Sequence, residues 1–295
     1  MKPIFRLAAV LLMAGMSSLA FGQALQDQFF DSNGVRIRYV EEGVGEPVVL
    51  VHGYGSSAER NWINRGPFHQ LAKNYRVIAL DCRGHGKSAK PHEVKQYGQE
   101  MFLDIVRLLD HLKIRKAHIV GYSMGGRITA KLLTMKPERF LTATLGGSAG
   151  TMSWTAEDDA RNEKEAQDIE QGDYRSVILR TWPTGKPKPT EVEIEAEIKR
   201  RTDANPDLDR AALAAVRRAS RDQLVTESQM ANVKVPTIAI VGTADPNIDN
   251  VNKLKKVMPQ LKVVTINGAT HNNAAGYPEF LQALQEFLRS NSVKK

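Results

Sequence analysis

Cysteine is almost absent from this chain of 295 residues, which contains only Cys82. No internal disulfide can form, so the fold has to be held together by its hydrophobic core. No group of cysteines and histidines has the spacing of a zinc site, and we expect neither a metal nor another cofactor. Cys82 ends an apolar segment, which indicates a small buried thiol.

Long runs of like charge are also missing. The net charge is +8, but lysines and arginines are interleaved with acidic residues along the chain. No array of arginines and aromatic residues appears, which argues against a nucleic-acid partner. The positive surplus favours anionic surfaces or anionic substrates.

A long apolar run occurs at the N-terminus, where residues 1–22 have the form of a secretory signal peptide. Lys2 and Arg6 give a positive start, and the apolar segment 7–16 is too short to span a bilayer comfortably. An uncleaved membrane anchor is the alternative interpretation. No cysteine follows the run, so a lipoprotein anchor is not indicated.

Small residues at the end of this segment predict cleavage after Gly22, with Ala24 as a second possible site. Removal of Lys2 and Arg6 lowers the net charge from +8 by two, to +6. We therefore expect a periplasmic or secreted protein without a stable membrane anchor.

Apolar segments alternate with helical patterns over most of the remaining chain. This alternation predicts an α/β fold in which a mostly parallel sheet is covered by helices on both faces. An Asn33-Gly34 turn predicts a hairpin at its start. The predicted strands are 28–31, 35–40, 48–51, 75–80, 117–120, 140–146, 235–241 and 261–266, and the predicted helices between them are 68–73, 99–112, 124–135, 248–258 and 277–288.

The alternation stops between residues 151 and 231, where charged residues and helix formers dominate. Helical patterns cover 154–171, 191–201 and 209–224, and the Pro-rich segment 181–189 interrupts them. We predict that 151–231 is a helical cap inserted into a core made of residues 23–150 and 232–295.

Gly121-Tyr122-Ser123-Met124-Gly125 joins a predicted buried strand to a predicted helix. In that context a Gly-x-Ser-x-Gly sequence predicts a nucleophile elbow. Serine is a poor nucleophile near neutral pH and needs a base, a group that orients the base, and donors for an oxyanion. Asp245 and His271 each follow a later predicted strand, so the order is nucleophile, acid, base. Asp249 is a weaker alternative acid, because it lies inside a predicted helix.

These motifs resemble those of the α/β-hydrolase superfamily, in particular its lid-bearing serine esterase-like members. The resemblance implies an eight-stranded type of sheet with a helical cap, and it covers nearly the whole chain after the signal peptide. The residues that carry it are His52-Gly53, Asp81-x-Arg83-Gly84-His85-Gly86-x-Ser88, Gly121-x-Ser123-x-Gly125-Gly126, Asp245 and His271.

The resemblance assigns a role to each predicted site residue. Ser123 attacks an acyl carbonyl, His271 is the general base, and Asp245 orients the imidazole. Two backbone N–H groups form the oxyanion hole: one of Met124, and one of Tyr54, where the family more often has proline or glycine. His52, Asp81, Arg83 and His85 are interpreted as residues that brace their loops.

Serine at position 123 excludes the dehalogenases and epoxide hydrolases of this family, which use an aspartate nucleophile. We expect a hydrolase that cleaves a carboxylic ester through an acyl-enzyme, with a small-molecule ester-like substrate. Lactonases, carbon–carbon bond hydrolases, iminopeptidases and cofactor-free haloperoxidases are alternatives within the family. A hydrolase-fold receptor with little turnover is an alternative from another functional class.

Overall fold

A computed structural model of the chain describes residues 25–205 and 207–292. The predicted signal peptide, residues 1–22, lies outside the described residues. One eight-stranded sheet has the strand order β1-β2-β4-β3-β5-β6-β7-β8. The β1–β2 and β2–β4 pairs are antiparallel and all the others are parallel. The strands are β1 (Gln28–Ser32), β2 (Val35–Glu42), β3 (Pro47–Val51), β4 (Arg76–Leu80), β5 (Ala117–Tyr122), β6 (Phe140–Gly146), β7 (Thr237–Gly242) and β8 (Lys262–Ile266).

The central strands are apolar throughout because both faces of the sheet are covered. In β3, Val49 and Val51 belong to one hydrophobic cluster, whereas Val48 and Leu50 belong to another on the opposite face. Successive side chains of a strand point to opposite faces, so a continuous apolar run serves two cores at once. The predicted parallel sheet is confirmed.

Helices of the core cover the two faces of the sheet. Helices α2 (Gln99–His111), α3 (Met124–Met135) and α9 (Ile248–Val257) pack into the first cluster, and α1 (Pro67–Ala72) and α10 (Pro278–Asn291) into the second. Among the described residues, no helix is both long and apolar enough to cross a bilayer.

Between β6 and β7, the residues that the structure describes form five α-helices of a helical insertion: α4 (Ala156–Glu170), α5 (Arg175–Arg180), α6 (Glu191–Asp203), α7 (Arg210–Arg218) and α8 (Glu227–Ala231). We call this insertion the cap. Capping boxes at Thr155 and Thr190 set the first residues of α4 and α6. The cap has its own small core, which includes Ile169, Val177 and Leu213.

Some short elements were not predicted. Helices α5 and α8 have six and five residues, and a five-residue π-helix covers Glu59–Ile63. Each is shorter than two turns, so its apolar residues cannot establish a helical period. The predicted helix 209–224 is divided, because α7 ends at Arg218 and a tighter 3₁₀ segment, Ala219–Gln223, follows.

Candidate active site

Ser123 occupies the sharp turn between β5 and α3. Its φ of 53° and ψ of −108° are unusual for a residue with a side chain. Gly121 and Gly125 allow the flanking elements to approach. A Cβ on Gly121 would lie 2.1 Å from the Gly125 oxygen, and one on Gly125 would lie 2.1 Å from the Val51 oxygen. The turn has the geometry that the Gly-x-Ser-x-Gly motif predicts.

The side chains of Ser123, His271 and Asp245 are in contact, although they are far apart in the sequence. His271 Nε2 lies 2.8 Å from Ser123 Oγ, and His271 Nδ1 lies 2.9 Å from Asp245 Oδ2. The tautomer that satisfies both contacts donates from Nδ1–H to the carboxylate and accepts the serine proton at Nε2. Asp245 is fully buried, and the Asn247 N–H donates to its Oδ1 at 2.8 Å. Asp249, the weaker alternative, is exposed on α9.

Tyr122 holds the histidine loop in place, a role that the sequence did not reveal. Its hydroxyl donates to the His271 carbonyl oxygen at 2.7 Å, and its ring packs against Trp62 and Phe280. Burial raises the pKa of the Tyr122 phenol, so the group stays a donor. Tyr122 occupies a variable position of the Gly-x-Ser-x-Gly motif, and nothing local marks it. Asn247 likewise carries no sequence signal.

The loop after β3 lies beside the nucleophile. A Cβ on Gly53 would lie 3.4 Å from the Ser123 Cβ, and the Gly53 N–H donates to Asn61 Oδ1 at 3.0 Å. In the described part of the chain, no acceptor takes the N–H of Tyr54 or of Met124. Both groups are therefore free to donate to a ligand, as an oxyanion hole requires.

The Tyr54 side chain leaves the loop and joins it to the cap. Its hydroxyl donates to the carbonyl oxygen of Leu213 in α7 at 2.9 Å. Burial raises the pKa of this phenol, so it remains protonated and able to donate. The Tyr54 backbone N–H is available to the site, while the side-chain hydroxyl contacts the cap.

The residues interpreted as loop braces make internal bonds. His52 Nε2 accepts from the Cys82 N–H at 3.0 Å, and its Nδ1 donates to the Gly53 oxygen at 2.7 Å. Burial lowers the pKa of His52 to about 4, so the ring is neutral. His85 Nδ1 lies 3.0 Å from the Arg83 oxygen, and burial lowers the pKa of His85 to about 3.

Asp81 and Arg83, in the loop after β4, also bond to other groups of the protein. Asp81 accepts from the N–H groups of Ala58 and Lys87 at 2.8 and 2.9 Å. Arg83 binds both oxygens of Asp104, at 2.7 and 2.6 Å. None of these four loop residues contacts Ser123 through its side chain, so all of them brace the loops around the site.

A cavity of about 130 Å³ opens above Ser123 and His271, between the core loops and the cap. Its apolar wall comes from Val177, Leu208 and Leu213 of the cap. No group of three or more His, Cys, Asp or Glu side chains within residues 25–205 and 207–292 is arranged to hold a metal ion.

Comparison with known proteins supports the fold described above. A family described as the alpha/beta hydrolase fold matches residues 46–175. The chain is 40% identical over 149 residues to the dihydrolipoyllysine-residue acetyltransferase component of the acetoin cleaving system of Pseudomonas putida, a match that covers 49% of this chain and 38% of that protein. It is also 40% identical over 141 residues to the 2-hydroxy-6-oxo-6-(2'-aminophenyl)hexa-2,4-dienoic acid hydrolase of Metapseudomonas resinovorans, which covers 46% and 47%. The chain thus spans less than half the length of either relative.

A solved structure extends the similarity to nearly the whole chain. A thermophilic esterase from Thermogutta terrifontis matches with a TM-score of 0.74 and 21% identity, and the match covers 91% of this chain and all of the other. At this level of identity, the likeness establishes the fold.

Proposed function

Since the chain belongs to the α/β-hydrolase superfamily, we propose that it is a serine hydrolase that cleaves a carboxylic ester through an acyl-enzyme intermediate. One observation carries the proposal: the continuous contact from Ser123 Oγ through the His271 imidazole to the buried Asp245 carboxylate. This arrangement of nucleophile, base and orienting acid, beside two unused N–H groups, suits acyl transfer.

In the first half of the reaction, Ser123 Oγ attacks the ester carbonyl while its proton moves to His271 Nε2. The Asp245 carboxylate stabilises the imidazolium that forms. The N–H groups of Met124 and Tyr54 donate to the oxyanion, and His271 returns the proton to the leaving alkoxide. In the second half, His271 takes a proton from water as the water oxygen attacks the acyl carbonyl. His271 then returns this proton to Ser123 Oγ as the acyl–Oγ bond breaks and the acid leaves.

Purified protein and its Ser123→Ala variant, incubated with short-chain and long-chain nitrophenyl esters, test this proposal. We expect the substitution to lower kcat by about 10⁴-fold or more, as removal of a triad nucleophile does. A fluorophosphonate probe should label the wild-type protein at Ser123 and fail to label the variant. Undiminished hydrolysis by Ser123→Ala would overturn the proposal, and absence of turnover on every ester would favour a receptor.

A second candidate is hydrolysis of a carbon–carbon bond, and the 40% identity to the Metapseudomonas resinovorans hydrolase favours it. The same three side chains would serve that reaction. To distinguish ester hydrolysis from carbon–carbon bond hydrolysis, the protein is incubated with a 2-hydroxy-6-oxo-hexadienoic acid and the loss of the absorbance of this acid is measured. Turnover of that acid well above turnover of any ester would select the second candidate. A lactonase would instead prefer cyclic esters in the same comparison.

We also propose that the protein is exported to a periplasm or to the outside of the cell, on the basis of the form of residues 1–22. Fractionation of the native cells and the mass of the mature protein test this proposal. Retention in the cytoplasm with an intact N-terminus would contradict it.

A further inference from the structure

The cavity above Ser123 has a strongly positive lining. Arginine side chains contribute to its wall, and no aspartate or glutamate of the described chain does so. The arginines that line it are Arg60, Arg65, Arg127, Arg180, Arg200 and Arg201.

Three of these arginines contact carboxylates of the cap. Arg180 Nε lies 3.3 Å from Glu165, and Arg200 and Arg201 lie 2.6 and 2.8 Å from the same Glu197 oxygen. Their charges are compensated at least in part, so these residues can serve the structure of the cap.

The other three arginines have only neutral partners. Arg60 donates to the Gly55 oxygen at 3.2 Å, Arg65 to the Asn272 oxygen at 2.8 Å, and Arg127 to Gln223 Oε1 at 2.7 Å. None of them has a carboxylate within 4.0 Å in the part of the chain that the structure describes. Each guanidinium carries five N–H groups, so most of its donors remain available.

Uncompensated charge at this place is unfavourable for the empty protein. Burial lowers the pKa of Arg60, and the neighbouring Arg200 and Arg201 lower it further. Burial lowers the pKa of Arg127 to about 9, with additional repulsion from Arg180. Burial and repulsion disfavour the charged form of these guanidinium groups, and a bound anion would stabilise that form.

Buried arginines elsewhere in the molecule are paired with carboxylates. Arg38 contacts Asp27 and Asp81, and Arg83 binds Asp104 through two bonds. These fully buried arginines have acidic partners, whereas Arg60 and Arg127, which are partly buried, and Arg65, which is exposed, face the cavity without one. An anion bound in the cavity would be the acidic partner that these three side chains lack.

The uncompensated arginines belong to the segments that carry the reacting groups. Arg127 lies one turn after Ser123 on α3, and its N–H donates to the Ser123 carbonyl oxygen at 3.1 Å. Arg65 binds the carbonyl oxygen of Asn272, the residue after His271. All three arginines line the same cavity as Ser123 and His271, so an anion that they hold would share that cavity with the reacting groups.

We propose that the cavity binds the anionic group of an ester substrate, a carboxylate or a phosphate, through Arg60, Arg65 and Arg127. This inference rests on the proposed ester hydrolase activity. Guanidinium groups match both oxyanions with paired N–H donors, and Arg65 at the exposed rim provides the first charge that an entering anion meets. The substrate is thus an acidic ester rather than a neutral one.

Two pairs of esters test the preference for an anion. The first pair is para-nitrophenyl hydrogen adipate and its methyl ester, with the charge on the acyl side. The second is meta-carboxyphenyl butyrate and its methyl ester, with the charge on the leaving group. We expect the wild-type enzyme to have a higher kcat/KM for the charged member of at least one pair.

Single substitutions then identify which arginines bind the anionic group of the substrate. Arg60→Gln, Arg65→Gln and Arg127→Gln should each lower the ratio of charged to neutral kcat/KM by about tenfold, the effect expected for one charge-assisted hydrogen bond. Arg289→Gln is the matched control, because Arg289 is exposed on α10 and does not line the cavity. It should leave the ratio unchanged. No preference in either pair, or a ratio that none of the three variants changes, would overturn the inference.

A binding measurement separates this inference from the proposed activity. At constant ionic strength, adipate or inorganic phosphate should raise the Tm of Ser123→Ala protein, and Arg127→Gln should abolish the rise. The more effective anion identifies the carboxylate or the phosphate as the group recognised. Anion stabilisation together with hydrolysis that survives Ser123→Ala would refute the activity and keep the binding site. Ester hydrolysis that needs Ser123, without any anion effect, would refute the site alone.

Discussion

Ser123 is held in a backbone conformation that costs free energy. Its positive φ is one of three among the non-glycine residues that the structure describes, and its ψ of −108° lies far from the ordinary left-handed helical region. Such residues cost about 1–3 kcal/mol and persist where their surroundings determine them. Here the Ser123 N–H is bound to the Gly146 oxygen at 2.8 Å, between two packed elements.

Removal of the Ser123 side chain should therefore affect stability in a way that depends on the replacement. We expect Ser123→Gly to have a free energy of unfolding about 1–2 kcal/mol higher than Ser123→Ala, because glycine adopts this φ without strain. Urea denaturation of both variants measures the difference. Equal stability of the glycine and alanine variants would show that the turn is unstrained.

His52 and His85 make the stability depend on pH. Their pKa values are lowered from 6.5 to about 4 and about 3, because burial disfavours the charged rings. In the unfolded chain these two histidines become protonated below a pKa of 6.5, whereas in the folded protein they stay neutral to a lower pH. Their contribution to the free energy of unfolding is therefore fully present above pH 6.5. It declines as the pH falls toward the folded pKa.

We expect the free energy of unfolding to fall by up to about 1.4 kcal/mol per pH unit for each of these histidines, as the pH drops from 6.5 to about 4. His85→Gln should remove the contribution of one histidine from this slope. Denaturant titrations at several pH values give the slopes. A His85→Gln protein with the wild-type slope would contradict the account.

At the scale of elements, β3, β5 and α3 approach so closely that their contact requires glycine. The Gly125 position faces the Val51 oxygen, and the Gly121 position faces the first turn of α3. The nucleophile turn is thus built by backbone contact between three elements. A shift of any one of them would move Ser123 relative to His271.

Gly125→Ala should destabilise the protein by about 1–3 kcal/mol or more, because its Cβ would lie 2.1 Å from the Val51 oxygen. Gly276→Ala is the control, since its Cβ would meet nothing closer than 3.9 Å. Thermal unfolding of both variants checks the prediction. A Gly125→Ala protein as stable as Gly276→Ala would refute the close approach.

The cap is joined to the core through Tyr54. Tyr54→Phe removes the bond to the Leu213 oxygen and should cost about 1 kcal/mol. Amide hydrogen exchange should become faster in α7. Tyr75→Phe serves as the control, because the Tyr75 hydroxyl makes a 3.4 Å contact with Ser292, near the C-terminus. If amide exchange in α7 of the Tyr54→Phe variant is unchanged, Tyr54 does not hold the cap against the core.

At the scale of the whole molecule, the sheet brings distant segments to one edge. Ser123, Asp245 and His271 follow β5, β7 and β8, and parallel strands place their carboxyl ends together. The positions of these three residues were predictable, because each depends on a local pattern and on that general rule. Their roles in a reaction stay a prediction.

Other features depend on contacts that no local pattern encodes. The Tyr122 hydroxyl contacts His271, 149 residues away, and the Asn247 side chain donates to the Gly147 oxygen, 100 residues away, although the Asn247 N–H bonds to nearby Asp245.

The arginines of the cavity come from the segment after β3, the nucleophile helix and the cap. That the three core arginines, Arg60, Arg65 and Arg127, lack carboxylate partners emerges only when these parts are packed together. The positive composition favours anionic surfaces or substrates in general and predicts no position for a binding site.

The most direct test of the central claim is the trapping of an acyl group on Ser123. The protein is mixed with a nitrophenyl ester, quenched within the first turnover and digested for mass spectrometry. We predict a burst of nitrophenol that matches the amount of enzyme, with the acyl mass on the peptide that contains Ser123. Steady hydrolysis with no adduct on that peptide, unaffected by Ser123→Ala, would contradict the account.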